Sequence, residues 1–431
     1  MATSLFFGLV GSVVAGFLVT VLLTGLVCEQ APRLGLLDRP THSRKVHTRT
    51  TPTGGGLAIA AGVVAGLGLL WGLLGPFPGA VQSLSFWGGA AVMLATGYWD
   101  DKHALDAKGK FAFQLVAAYL LLHSGTILPL SGGASGTLTP NVAAGALPFG
   151  EALYIIPLSM LWVVGIINAV NLIDGLDGLA TGIIGIAFLA CAALFGVKGE
   201  IALMAVGIVM AGASAGFLPH NFKPASIFMG DSGSLLLGYL LAGYTLQAPL
   251  HSDPALALLI LPVLLGVPIL DTGTAIVRRF ASARSIFAPD RRHVHHCLVE
   301  RGTEQGAVLT LYGVGAWFGS AAVLMAVLPA MWAYLLAGTT AAVALVWAWR
   351  LGSLTPAPIG EDTEPRPQLA DGHAKDDVPA PVDVVVASGT ESMEGESMED
   401  ESIAGDGAPV KAGRPRSGDD QEPNENPTAA S

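Results

Sequence analysis

Charge is the first thing this sequence lacks. Of its 431 residues only 13% are Asp, Glu, Lys or Arg, where an ordinary soluble domain carries about 25%. With 52% hydrophobic residues, that excludes a conventional soluble enzyme. Cysteine is scarce too. Cys28, Cys191 and Cys297 have no CxxC spacing, and an odd count speaks against a disulfide framework or a structural zinc site. Residues 351–431 lack aromatics almost completely and instead hold 18 of the 33 acids against 5 of the 22 bases, net −13. Rich in Pro, Gly and Ser, such a segment cannot bury enough apolar surface to offset its ordering entropy. The sequence therefore divides into a membrane domain, 1–350, and an acidic tail, 351–431, expected to be disordered.

What is present is a series of long apolar windows. A spanning helix needs about 20 mostly apolar residues, and the pattern predicts an all-α, polytopic membrane protein. Its eleven helices are expected at 4–27, 54–74, 82–99, 111–130, 152–171, 178–197, 200–218, 232–248, 255–277, 306–329 and 331–349. The first follows no basic region and exceeds a signal-peptide core, so it reads as a retained span. Fifteen Lys and Arg fall in the odd-numbered connections, among them Arg33, Arg49, Lys102, Lys108, Lys223, Arg284 and Arg301, against Lys198 alone in the even ones. The positive-inside rule then places the odd loops and the tail in the cytoplasm and the N-terminus outside.

The polar residues that loop solvation does not explain all fall on that side. Asp100 and Asp101 close the third span; adjacent carboxylates repel, which favours a bound cation or a raised pKa, although a charged helix stop is the plain alternative. Asn168, Asn171, Asp174 and Asp177 recur every three residues and share a face while the helix lasts. They are costly in hydrocarbon unless they line an aqueous cavity or hold an ion, and oxygen-only ligands suit magnesium. Gly175 and Gly178 allow close backbone approach. Asp231 opens the eighth span, where free N–H groups could receive phosphate oxygens, or where Asp231 or Ser232 simply caps the helix.

Between the ninth and tenth expected spans, Asp290-Arg291-Arg292-His293-Val294-His295-His296 is a dense donor array for an anion. Zinc is disfavoured there, because His-x-His-His-Cys has no standard spacing. The first loop, with Arg44, Lys45 and His47 before Gly54-Gly55-Gly56, is weak evidence alone. Asp271, inside the ninth span near its inner end, is a buried carboxylate expected to pair with Arg278 or Arg279 or else to face the cavity, the structural pairing being the favoured reading.

Together these blocks resemble the polyprenyl-phosphate N-acetylhexosamine-1-phosphate transferase family. They are Arg44-Lys45-x-His47 with Pro52 and the glycine run, Asp100-Asp101 with Lys110, Asn168 through Ala180, Phe228-Met229-Gly230-Asp231-x-Gly233-Ser234, and Pro289-Asp290-Arg291-x-His293-x-His295-His296. They match in order and spacing over about residues 33–302. The His-x-His-His form is similar to the branch that moves GlcNAc-1-phosphate from a UDP-sugar to undecaprenyl phosphate, releasing UMP at the first membrane step of a surface polysaccharide or wall glycopolymer. The phospho-MurNAc-pentapeptide branch usually shows three consecutive histidines, interrupted here by Val294.

The resemblance implies magnesium, with manganese as a substitute, held by Asn171 and Asp231. It implies Phe228 stacked on uracil, and phosphate gripped by Lys110, Arg291, His293, His295 and His296, with Arg44, Lys45, His47 and Asn168 also on the substrates. Asp100, Asp101, Asp174 and Asp177 match the carboxylates given catalytic, nucleotide or metal-handling roles. The implied partners are a UDP-N-acetylhexosamine, undecaprenyl phosphate and the bilayer of the cell membrane; a homodimer is left open and no nucleic acid is expected. Two rivals stand beside this reading. A CDP-alcohol phosphotransferase shares Asp174-x-x-Asp177-Gly178 but needs further aspartates downstream, and none occurs before Asp231. A transporter would show repeated halves and a midplane site.

Overall fold

In the computed structural model, residues 2–38, 50–128, 130, 147–248, 253–282 and 292–355 are described, and they are helical almost throughout. The helices are α1 (Ala2–Leu34), α2 (Gly55–Leu74), α3 (Leu84–His103), α4 (Ala107–His123), α5 (Phe149–Ile173), α6 (Leu179–Val197) and α7 (Ile201–Asn221). They continue as α8 (Gly230–Thr245), α9 (Pro254–Leu264), α10 (Gly266–Ala281), α11 (Val294–Val299), α12 (Glu304–Val327) and α13 (Ala330–Arg350). Two-residue strands, β1 (Leu37–Asp38) and β2 (Thr51–Pro52), pair antiparallel between α1 and α2. Arg44, Lys45, His47, Arg291 and the tail from residue 356 onward lie outside the described residues.

Every expected helix has a counterpart, yet the count of eleven spans does not carry over. Among the described residues, seven helices are long and apolar enough to cross a bilayer, or eight if α9 and α10 form one broken span. The expected single helix over 255–277 is bent by 91°. Pro268 accounts for the break: it has no N–H to give to the carbonyl of Leu264, and its ring would strike that carbonyl. Helices α4 and α8 have only 17 and 16 residues, short of the 30 Å apolar thickness at 1.5 Å per residue. Helix α11 has no counterpart among the expected spans.

Outward-facing apolar residues such as Phe6, Leu22, Trp71, Leu84, Phe149, Leu161, Phe280 and Trp349 are more than half exposed. A surface so apolar is unsuited to water and suited to lipid. Helix α8 is the reverse. Every residue from Ser232 to Thr245 is buried, and it packs against α2, α3, α5 and α6, so its shortness reflects a position inside the bundle.

Small residues make that position available, as they do where helices meet without a hydrophobic drive between them. A Cβ on Gly97 of α3 would come 2.2 Å from the carbonyl oxygen of Asp231, and one on Gly56 of α2 would come 2.2 Å from the amide nitrogen of Gly233. Deeper in the bundle, Tyr239 donates to the carbonyl of Phe86 at 2.9 Å and Tyr244 to that of Leu203 at 2.7 Å. Gly97→Ala is therefore expected to force α3 from the start of α8 and to cost about 1–3 kcal/mol, the usual range for overpacking a tight interface. Thermal unfolding of the purified protein in detergent measures this. An unchanged Tm would mean that the two helices separate freely.

Candidate active site

The site is built where five connections meet at one end of the bundle. Its frame is the segment Phe228–Ser232. The glycine run holds it from one side: Gly55 N–H donates to the carbonyl of Phe228 and Gly56 N–H to that of Met229, both at 3.1 Å, while Phe228 N–H donates to Pro52 at 2.9 Å. Gly230 adopts φ +71, a conformation that side chains resist, and a Cβ there would come within 2.6 Å of both carboxylate oxygens of Asp101.

Asp101 holds the frame from the other side. Its carboxylate accepts the Asp231 N–H at 2.7 Å and the Ser232 N–H at 3.2 Å. These are orphan donors of the first turn of α8, so the cap comes from another helix, and the donors expected to receive phosphate are already taken. Asp100 turns elsewhere. It accepts the Leu105 N–H at 2.5 Å and pairs with Lys110 Nζ at 2.5 Å. The two adjacent carboxylates thus escape mutual repulsion through separate partners.

Lys110 also lies 2.5 Å from Asp231, bridging two acids. On its far side, Asp231 accepts Asn171 Nδ2 at 2.8 Å, and the same amide donates to Ser234 Oγ at 2.8 Å. Its nitrogen is thus committed to Asp231 and Ser234. Asn168, one turn earlier, exchanges hydrogen bonds with Gln114 at 2.8 and 3.3 Å. That neutral amide pair joins α4 to α5 and holds Asn168 away from the acids.

Helix α5 ends at Ile173, so Asp174 and Asp177 leave its face and occupy a turn. Asp177 accepts the Ala225 N–H at 3.0 Å, tying the turn to the segment before Phe228. Asn221 completes the tie, accepting from Gly178 N–H at 3.1 Å and donating to the carbonyl of Ile227 at 3.1 Å. Tyr312 of α12 donates to the carbonyl of Gly178 at 2.6 Å. Asp174 is half-buried, and burial, with the charges of Asp231, Asp101 and Asp177, pushes its carboxyl up to about 8. Phe228 is half-buried on the same frame.

The histidines form a second cluster. Asp271 Oδ2 lies 2.8 Å from His293 Nδ1 and 3.4 Å from His295 Nδ1, and Asp271 Oδ1 accepts the Val294 N–H at 2.6 Å. The expected pairing of Asp271 with Arg278 or Arg279 is thus replaced by one with imidazoles, because the start of α11 folds over α10. His293 is 5% and His295 1% exposed, while His296 is half-buried and its ring centroid lies 4.3 Å from that of His295. Arg292 donates to Thr355 Oγ1 at 3.3 Å and Ser353 is fully buried, so the folded body continues past the expected boundary at 350.

Sequence reasoning passed over Gln114, Asn221 and Tyr312 as working parts. Asn221 stood beside a motif and could have been weighed as a bracket; Tyr312, inside an apolar helix, gave no signal. The arrangement gathers the carboxylates of Asp231 and Asp174 near the Asn171 amide, with one ammonium already neutralising part of their charge.

Residues 83–248 match the family described as Glycosyl transferase family 4. The chain is 37% identical over 315 residues to the "Probable undecaprenyl-phosphate N-acetylglucosaminyl 1-phosphate transferase" of Bacillus subtilis, covering 72% of this chain and 83% of that protein. It is 36% identical to the decaprenyl-phosphate N-acetylglucosaminephosphotransferase of Mycobacterium tuberculosis, covering 70% and 78%. With the undecaprenyl-phosphate alpha-N-acetylglucosaminyl 1-phosphate transferase of Salmonella typhi the identity is 29%, covering 66% and 75%.

The raised Asp174 carboxyl yields a pH prediction. An unfolded aspartate titrates near about 3.9, so the folded form holds its proton while the unfolded form has lost it. Wild-type stability therefore falls as pH rises from there through about 8, and Asn at this position is free of that loss. In chelator, the Tm advantage of Asp174→Asn over wild type should grow from pH 5.5 to 8 and then level off. A Tm difference independent of pH would show that the carboxyl is not held in this negative, buried setting.

Proposed function

The chain belongs to glycosyl transferase family 4, and from that premise we propose that it transfers N-acetylglucosamine 1-phosphate from UDP-N-acetylglucosamine to undecaprenyl phosphate, releasing UMP. The observation that carries the reading is Asp231 set between Lys110 and Asn171, beside Asp174, at the end of an apolar bundle. A reaction between a nucleotide sugar and a lipid phosphate needs charged groups at that level, where the headgroup sits. The names of the similar proteins support the sugar and the polyprenyl acceptor. They also favour the GlcNAc branch over phospho-MurNAc-pentapeptide transfer. The family match and the names of the similar proteins favour this transferase reading over a CDP-alcohol phosphotransferase or a transporter.

An apolar cavity of about 350 Å³ supports the lipid acceptor. It is lined by Trp162, Gly165 and Ala169 of α5, Leu261 of α9, and Ile269 and Ile276 of α10. The cavity runs along α5, the helix that ends beside the acids.

The donor set fits magnesium: Asp231, the amide oxygen of Asn171 and Asp174 are hard oxygen ligands, and manganese would be accepted on the same grounds. When bound, the ion would draw off the charge that develops on the phosphoryl oxygens. The chain's own groups do the rest. Lys110 is placed to leave Asp100 and Asp231 for an incoming phosphate and to stabilise its charge. Asp174, with no donor on its oxygens among the described residues, is the carboxyl open to a proton or cation. Asp101 keeps Asp231 at the start of α8. Asp177 and Asn221 hold the turn while Phe228 offers a ring to the base. The uneven distribution of basic residues supports a site on the cytoplasmic face of the cell membrane, where nucleotide sugars are made. The product would be the first lipid-linked intermediate of a surface polysaccharide or wall glycopolymer.

Purified protein should release UMP from UDP-GlcNAc only when polyprenyl phosphate is supplied; release without acceptor, or none with it, rejects the transferase reading. Asp231→Asn should insert normally and lose at least about a hundredfold in rate, on the scale of one preorganised transition-state group. Retention of half the wild-type rate at saturating magnesium would remove Asp231 from the site. Gly165 faces open space, so Gly165→Trp should fill the groove and raise KM for the lipid by about tenfold while leaving KM for UDP-GlcNAc unchanged, the mark of lost ground-state binding.

A further inference from the structure

Asp271 takes no part in the reaction described above, yet it is a carboxylate 2% exposed on a helix near the acids. A buried charge needs partners, and those of Asp271 all belong to one short segment. It accepts the Val294 N–H at the start of α11, and its other oxygen faces Nδ1 of both His293 and His295. His295 is too deeply buried to meet a substrate from solution. Its far nitrogen, Nε2, abuts Gly175, where an added Cβ would come within 2.9 Å. Gly175 follows Asp174 directly.

We propose that Asp271, His295 and Gly175 form a strut from α10 to the α5–α6 turn, making Asp271 a positioning residue that sets Asp174 against Asp231. The proposal rests on the transferase reading for its consequence in catalysis. Asp271 fixes the start of α11 by capping it and fixes the imidazole by facing its Nδ1; the ring then limits how far the turn can move toward α10. Glycine at 175 lets Nε2 approach this closely, since a side chain would press on it at 2.9 Å and force the ring or the turn to shift. A displacement of about 1 Å at a reacting group can cost about a hundredfold in rate, so a strut at this place has leverage without touching substrate. Asp271, His293 and His295 also have ligand atoms within 4.8 Å of one another. The carboxylate oxygen hydrogen-bonds His293 Nδ1 at 2.8 Å and stands 3.4 Å from His295 Nδ1, close enough to orient that ring by its charge, which accounts for the approach without an ion, so a metal centre is the competing outcome.

The test uses full-length protein in detergent with Asp271→Ala, Asp271→Asn, Gly175→Ala and the Asp271→Ala/Gly175→Ala double variant. Turnover is read as UMP release. Cation binding at the acids is read separately as the magnesium-induced rise in Tm, which needs no turnover. The strut predicts that Asp271→Ala and Gly175→Ala each lower kcat by about tenfold, leave KM for the lipid phosphate within about twofold, and raise the magnesium concentration for half the thermal shift by about threefold. Because both break one strut, the double variant should be within about twofold of the weaker single. Effects that multiply, or a wild-type magnesium midpoint in both singles, would overturn the proposal. So would one zinc per wild-type chain that is lost in Asp271→Ala, which would establish a metal centre. Should Asp271→Ala fail to fold, Asp271→Asn keeps the shape and the acceptor for Val294, and with Gly175→Ala it decides by the same midpoint. An inactive wild type would reject the transferase reading and leave the magnesium shift to judge the strut.

Discussion

The first turn of α8 is the constraint on which the rest of the site depends. A helix that begins inside a bundle has amide donors that water cannot reach, and leaving them unpaired is expensive. Asp101, from the end of α3, takes two of them. Had Asp231 capped the helix instead, its carboxylate would have folded back on its own backbone. Because a neighbour supplies the cap, that carboxylate is free to face Lys110 and Asn171. The glycines follow from the same requirement: Gly97 and Gly230 leave room for the two chain segments to approach closely enough for the Asp101 contact to form.

Polarity is graded along α5 in a way that fits its surroundings. Deep in the bundle, Ser159 is satisfied by the Ile155 carbonyl and the Leu128 amide. Farther along, Asn168 and Gln114 form a neutral pair. Only then does Asn171 meet a carboxylate, and Asp174 lies beyond the helix end. Ionised groups cost more the farther they lie from water in a bilayer, so the order neutral, amide, acid places the charge where a lipid headgroup would be. A site drawn deeper would have required compensating charges that the apolar helices do not contain.

Much of this was legible in the sequence, for identifiable reasons. Apolar runs located the helices because a bilayer demands long uninterrupted ones. The three-residue recurrence of Asn168, Asn171, Asp174 and Asp177 marked a polar cluster, but periodicity names a face and never the neighbour. It could not show that Asn168 belongs to Gln114 and Asp177 to Ala225, nor that the helix stops before Asp174. The break at Leu265 was readable from Pro268 and was hidden by the hydrophobicity on either side. Asp271 was seen as a charge needing a partner; choosing His293 over Arg278 required knowing that α11 folds back over α10, a long-range fact without a local signal.

Lys110 shows how one residue type reconciles a resting site with a working one. Between Asp100 and Asp231 it offsets charge that the turn would otherwise concentrate, and its position is fixed from behind by Asp106, which caps α4 by accepting from the Gly109 N–H at 3.1 Å. An ammonium is a compact point charge on a flexible stem, whereas a guanidinium locks carboxylates in a planar fork. The first can change partners as phosphate arrives, and the second would hold Asp231 in its resting pair. On the proposed reaction the site therefore needs Lys at 110 for its exchangeability as much as for its charge, and it needs the Asp101 cap so that Asp231 stays in place while that exchange occurs.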